Sequence, residues 1–267
     1  MCTLTLAWQT FEDAPVALSA TRDEAYGRPS DPPALRGDDE QYLAPRDRTA
    51  GGTWIGLGAS GTVAAIANRW LDTNRDGDRS RGRLVADCLR RPTAADAVRF
   101  VEHDVAERTY DGFTLLVADE VAAFHLAYDG SLTVTPLDPG VHVVGNVGSV
   151  LGGRAAFSIP ETRAEAGTRR ADSVRRIAAT VVPKSGESSS DWLDRATAVL
   201  ADHDFGACFH GDRFGTRSLT RLRTGPDPTM DFVDGPPCST PVEPVEVPDS
   251  FAEGVGDDVN DSSVESW

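Results

Sequence analysis

Lysine is almost absent. Lys184 is the single example, and the other 25 of the 26 basic residues are arginine. Among the acids, 29 Asp outnumber 13 Glu, and the formal charge is -16. Short carboxylates hold water and counter-ions close to the surface, whereas long lysine stems would add apolar area there. This balance reads as adaptation to molar salt, where the Debye length falls to about 3 Å and self-repulsion is screened. The expected source is a halophilic archaeon. No basic patch stands out, which argues against a nucleic-acid partner.

Other shortages narrow the classes further. No apolar run approaches the roughly 18 residues of a membrane span, and the first ten residues alternate and carry no Lys or Arg, unlike a signal peptide. A cytoplasmic location is the resulting expectation. The four cysteines, Cys2, Cys88, Cys208 and Cys238, show no C-x-x-C spacing. The five histidines, His103, His125, His142, His203 and His210, lack i,i+4 or H-x-x-H pairs, so no fixed metal site is expected. Asp72-x-Asn74-x-Asp76-Gly77 copies the start of a calcium loop, but Arg83 stands where a bidentate Glu is needed; it reads as a solvated acidic turn. Gly145 to Gly153 has neither the P-loop lysine nor the G-x-G-x-x-G order, so no nucleotide cradle is implied.

What is present is strand pairs, then helices, then more strand pairs. Cys2 to Trp8 and Val16 to Ala20 alternate as a hairpin around Glu12-Asp13-Ala14-Pro15; Gly52 to Leu57 and Thr62 to Asn68 form another over Ala59-Ser60-Gly61. Arg28 to Thr49 is rich in Pro, Asp, Arg and Gly and reads as a long irregular loop. Helices are predicted over Ser80–Leu89, Thr93–Glu107, Arg170–Val181 and Ser190–Asp202. Strands are predicted over Phe113–Ala118, Ala122–Ala127, Leu132–Thr135, Val141–Val144, Gly206–His210, Thr216–Arg223 and Thr229–Val233. Residues 1–235 read as one domain, and 236–267 as an acidic, Pro-containing disordered tail. The fold class is α+β with hairpin-rich antiparallel sheets.

Cys2 is the first candidate for chemistry. Removal of Met1 would free its α-amine, whose pKa of roughly 8 suits it to act as general base for its own thiol. Folding the first hairpin about residues 12 and 13 brings Thr21-Arg22-Asp23-Glu24 beside that thiol. Asp23 could hold the ammonium, and Arg22 could stabilise a thiolate or oxyanion. The bland reading of Arg22 and Asp23 is a strand-end ion pair. Asn68, Asn146 and Arg217 each lie at a strand end as well; taken singly, each reads as a turn or cap.

In order along the chain, Met1-Cys2, Ala20-Thr21-Arg22-Asp23-Glu24-Ala25-Tyr26-Gly27-Arg28-Pro29, Ala50 to Gly56, Ser80 to Val85, Tyr110 to Phe113, Gly145-Asn146 and Gly215 to Ser218 resemble the motif blocks of the NRDE family, also called transport-and-Golgi-organisation-two. The resemblance implies a four-layer αββα sandwich similar to the N-terminal-nucleophile hydrolases. By similarity to cysteine enzymes of the bile-salt-hydrolase and penicillin-V-acylase type, Cys2 would be the nucleophile, Asp23 the orienter of the amine and Arg22 the thiolate stabiliser. Asn68 and Asn146 would then supply oxyanion or substrate contacts, with Arg217 completing the site. The implied activity is cleavage of a small C–N amide through an acyl-enzyme, with no cofactor required. The alternative is a non-catalytic carrier, since eukaryotic members are linked to haem mobilisation and to lipid or acyl-CoA homeostasis; haem would then take Cys2, His210 or Cys208 as axial ligand. Two departures stand out: Thr21 replaces the motif's Asn, and no Trp-Pro-Lys follows Asn146.

Overall fold

The computed structural model describes residues 2–73 and 75–251. In chain order the strands and helices are β1 (Leu4–Phe11), β2 (Ala14–Ala25), β3 (Ser30–Arg36), β4 (Tyr42–Asp47), β5 (Ile55–Gly58), β6 (Val63–Asn68), α1 (Arg81–Leu89), α2 (Ala94–Glu107), β7 (Phe113–Ala118), β8 (Ala123–Tyr128), β9 (Leu132–Pro136), β10 (Gly140–Gly145), β11 (Gly148–Leu151), β12 (Arg154–Phe157), α3 (Ala164–Thr180), α4 (Ser189–Ala201), β13 (Phe214–Arg223), β14 (Thr229–Val233) and β15 (Glu243–Val245). They build two antiparallel sheets, ordered β12-β11-β10-β1-β2-β13-β14-β15 and β3-β4-β5-β6-β7-β8-β9.

Strand alternation dictates the layers. Leu4, Leu6 and Trp8 of β1, with Val16, Leu18 and Ala20 of β2, face Ile55, Leu57, Val63, Ala65 and Leu116 of the other sheet in one apolar layer. Ala7 and Ala17, one residue out of phase, face Val174 and Ile177 of α3 and Trp192 and Ala196 of α4. Helices α1 and α2 cover the outer face of the second sheet through Leu84, Val85, Val98 and Val101. The result is an αββα sandwich with three apolar layers. Each fully buried Leu, Leu6 and Leu18 included, contributes about 1.5–3 kcal/mol by leaving water. Helix starts follow local chemistry: Ser80, Thr93 and Ser188 cap α1, α2 and α4 by accepting from the backbone N–H groups of Gly82, Asp96 and Asp191.

Four local expectations are corrected. The segment 28–49 is not a loop; it carries β3 and β4. Pro32 and Pro33 hid β3, and they are tolerated because β3 is an edge strand with a register shift between Asp31 and Ala34. Residues 206–210 form no strand beyond an isolated bridge from His210 to Gly215. The glycine-rich stretch after Asn146 forms the β11–β12 hairpin, and α3 begins at Ala164, six residues before Arg170. Finally, the span expected as a disordered tail holds β15, paired on β14, and Phe251, buried in the inter-sheet layer. Residues 252–267 of that span lie outside the described residues. So do Met1, whose removal the nucleophile reading requires, and Asn74 of the calcium-like loop. Asp72 of that loop accepts from the Thr162 backbone N–H at 3.1 Å and from its hydroxyl at 3.3 Å.

Candidate functional site

The β1–β2 hairpin pairs Leu4 with Ala20, and this register places Cys2 across from Arg22. Thr21 secures the strand start. Its backbone N–H donates to Thr3 O at 3.0 Å, and its hydroxyl accepts from the Thr3 N–H at 3.1 Å. The residue that departs from the motif thus serves as a backbone clamp.

Cys2, Arg22 and Asp23 line one cavity of about 300 Å³, together with Asn68 at the end of β6 and Trp54, Arg81 and Asp111 from the facing half of the molecule. Arg22 is buried, and its guanidinium lies over the Trp54 ring at 4.2 Å. Its nearest carboxylates are Glu24 at 3.8 Å and Asp47 at 4.0 Å, and its Nη1 has no hydrogen-bond partner among the described residues. A buried cation with an uncommitted donor facing a cavity is equipped to meet an anion.

Asp23 is contacted by side chains from two other elements. It accepts from Thr216 Oγ1 of β13 at 2.6 Å, and Arg170 Nη2 of α3 approaches its other oxygen at 3.4 Å. Arg170 also donates to Gly206 O at 2.8 Å. Burial pushes the Asp23 carboxyl up, while Arg170 and Thr216 oppose the rise. Burial likewise pushes the Cys2 thiol up, and Asp23 adds to that, whereas Arg22 pulls it down. The Arg22, Arg81 and Arg170 guanidiniums are pushed down by burial. Burial thus favours the thiol over the thiolate at Cys2.

The two asparagines meet but do not share the Cys2 cavity equally. Asn146 is fully buried, and its Nδ2 donates to Asn68 O at 2.7 Å; its Oδ1 has no partner among the described residues. It lines an adjoining cavity of about 410 Å³, for which Asn68, Arg81 and Asp111 form the shared wall. Arg217 is not brought to either cavity. Register runs Thr216 to Asp23 and then Ser218 to Arg22, so Arg217 is the extra residue of a bulge. Its Nη1 instead donates to the backbone carbonyls of Ala25, at 3.4 Å, and Tyr26. The arginine that does reach Asp23 is Arg170, which carries no signal in sequence. Trp54 and Arg81 fall in the Ala50–Gly56 and Ser80–Val85 blocks, and that grouping was the available clue.

Those blocks meet physically. The Thr53 N–H donates to Gly82 O at 2.9 Å, and a Cβ on Gly52 would collide with the Gly82 backbone. The cavity wall is closed by two backbones in contact, which only glycine allows.

Elsewhere, His203, Cys208, His210 and Cys238 hold their donor atoms within 4.8 Å of one another. No helix of the described residues is long and apolar enough to cross a membrane.

Solved structures share this architecture at low identity, which speaks to the fold alone. Penicillin V acylase from Agrobacterium tumefaciens superposes with a TM-score of 0.54 at 12% identity, covering 87% of this chain and 83% of that one. An N-acylethanolamine-hydrolyzing acid amidase ortholog from Caenorhabditis elegans gives 0.51 at 13% identity, over 83% and 92%. A mutant conjugated bile acid hydrolase from Clostridium perfringens gives 0.53 at 10%, over 93% and 98%. The fold is that of the N-terminal-nucleophile hydrolases. In sequence, the chain is 36% identical over 107 residues to the human Transport and Golgi organization protein 2 homolog, and 34% identical over 106 residues to the bovine one. Each alignment spans 38% of this chain and 38% of the relative. Residues 1–232 match the family described as Transport and Golgi organisation 2, and the chain belongs to that family.

Proposed function

We propose that this protein is an N-terminal-cysteine amidohydrolase that cleaves a small, polar C–N amide through a thioester. The observation that carries the reading is the convergence of Cys2, Arg22, Asp23 and Asn68 on one cavity. The acylase and amidase names among the proteins of like fold agree with it. Once Met1 is removed, the Cys2 α-amine accepts the thiol proton, and Asp23 holds the resulting ammonium. Sγ attacks the amide carbon, and the oxyanion is met by the Asn68 amide and the free Arg22 donor. The C–N bond then breaks as the ammonium returns a proton to the leaving amine. Water, deprotonated by the same amine, attacks the thioester, releasing the acid and restoring the thiol. The cavity's small volume and charged walls suit a compact polar acyl group.

A carrier of haem or acyl ligands on the same fold is the competing reading. No histidine lines the Cys2 cavity and arginines and carboxylates dominate its wall, so the residues present do not fit a haem macrocycle there. The deciding experiment is intact-mass spectrometry in high salt, before and after brief, limiting iodoacetamide at neutral pH. Loss of Met1 with selective alkylation of Cys2 supports the hydrolase and justifies an amide screen, in which Cys2→Ala is expected to abolish turnover. Retained Met1, or a Cys2 no more reactive than the buried Cys88, sinks it and leaves ligand carriage as the leading account.

A further inference from the structure

Four of this chain's nine cysteines and histidines gather at one place remote in sequence from Cys2. His203 opens a short 3-10 turn capped by Asp202, which accepts from the Asp204 N–H. Gly206, at φ +71°, reverses the chain after that turn, so that Cys208 and His210 come back beside His203. The His203 and His210 rings lie 5.1 Å apart. The fourth member arrives from 28 residues downstream: His210 Nε2 and Cys238 Sγ are 3.2 Å apart. Cys238 sits in a tight turn in which Ser239 and Thr240 donate to Pro236 O. Cys208 is buried beneath the group, while His203, His210 and Cys238 are exposed and leave a path for entry.

We propose that His203, Cys208, His210 and Cys238 form a tetrahedral Cys2His2 site for a zinc-class divalent cation, clipping the turn after β14 to the segment 203–210. Two thiolates and two imidazoles are the donor set that zinc takes in closed structural sites, and hard cations such as calcium and magnesium avoid it. Tetrahedral ligands at about 2.0–2.3 Å from a metal stand roughly 3.4–3.8 Å apart. Donor atoms already within 4.8 Å therefore close on an ion by about an ångström of side-chain motion. Binding releases both thiol protons to solvent and leaves two Sγ–metal and two N–metal bonds; no electron is transferred.

The location explains what such a clip would do. The segment it fastens supplies Gly206 O to Arg170, and the Phe209 N–H donates to Thr216 Oγ1 at 3.1 Å. Arg170 and Thr216 both contact Asp23. The cation would thus stiffen the support behind Asp23 without touching the cavity. The site stands whether or not Cys2 is a nucleophile.

The test uses the full chain, reduced and metal-stripped under anaerobic conditions, and titrated with cobalt(II). Expected is one equivalent bound per chain, with thiolate-to-cobalt charge-transfer absorption and the intense visible bands of a tetrahedral ion, both abolished by added zinc. Exposed Cys238→Ser should lose the charge-transfer intensity in part and weaken zinc binding by about 100-fold or more. His210→Ala should do likewise, and Cys88→Ser should leave both unchanged. Zinc should also raise the unfolding midpoint of the wild type but not of Cys238→Ser. A weak octahedral cobalt spectrum, or zinc binding unchanged in Cys238→Ser and His210→Ala, overturns the proposal. So does a Cys208–Cys238 disulfide found by peptide mapping in protein taken directly from cells.

Discussion

Arg170 on α3 and Asp23 on β2, 147 positions apart in the chain, form an ion pair at 3.4 Å with both side chains buried. Removing one partner of a buried pair strands the other charge, which costs about 3–5 kcal/mol. Arg170→Met is therefore expected to destabilise strongly, and Asp23→Asn in the same background to recover part of the loss. Urea unfolding of the two single variants and the double variant measures this coupling. Strict additivity would show that the pair does not act as a unit.

Arg22 is expected to contribute to the reactivity of Cys2. Arg22→Met keeps much of the packing against Trp54 but removes the positive charge that pulls the thiol down. Alkylation of Cys2 at neutral pH should slow by about tenfold for each unit by which the thiol pKa rises. The pH–rate profile of alkylation should shift to higher pH. A slower rate with an unmoved profile would point to changed access instead.

Gly52 and Gly61 should respond differently to alanine. At Gly52 the new Cβ meets the Gly82 and Arg83 backbone, which cannot step aside without moving α1; a loss of at least about 2 kcal/mol is expected. Gly61 has open space but a φ of +82°, so only backbone strain of about 1 kcal/mol applies. Chemical denaturation of both variants checks the order, and Gly52→Ala should also disturb the Cys2 cavity.

His125 should make stability fall in mild acid. Burial, with Arg69 and His142 nearby, pushes its pKa down to about 4. The unfolded imidazole titrates near 6.5. Between those values the unfolded chain binds the extra proton and the folded chain does not, so stability declines as pH drops from about 6.5 to about 4. The His125 contribution is level on either side of that window. The total is on the order of 3 kcal/mol, with a slope of at most about 1.4 kcal/mol per pH unit. Urea midpoints at several pH values should show this slope in the wild type and a flatter one in His125→Gln.

Legibility followed the range of the forces involved. The helices α1, α2 and α4 could be read within a residue or two because Ser80, Thr93 and Ser188 cap them locally. The β1–β2 and β5–β6 hairpins could be read because alternation and turn residues are local as well. Strand β3 could not: its prolines argue against a strand until one knows that it lies at an edge. Nor could β15, whose three residues gain their partner only from β14.

Around the Cys2 cavity, the sequence by itself brought Cys2, Arg22 and Asp23 together, because one hairpin delivers them through short-range register, whereas Asn68 reaches them from the other sheet through stacking. The order of strand pairs and helices determined the α+β class with antiparallel sheets, while the αββα layering was implied by the resemblance of the motif blocks. Only the tertiary structure decided which arginine serves Asp23. A single extra residue in β13 turns Arg217 away, and α3, packed across the sheet, brings Arg170 in. The same holds for the grouping of Cys208 and His210 with Cys238, which no spacing rule joins. Contacts between residues far apart in the chain depend on how sheets and helices stack, and stacking is set by the whole apolar pattern rather than by any local motif.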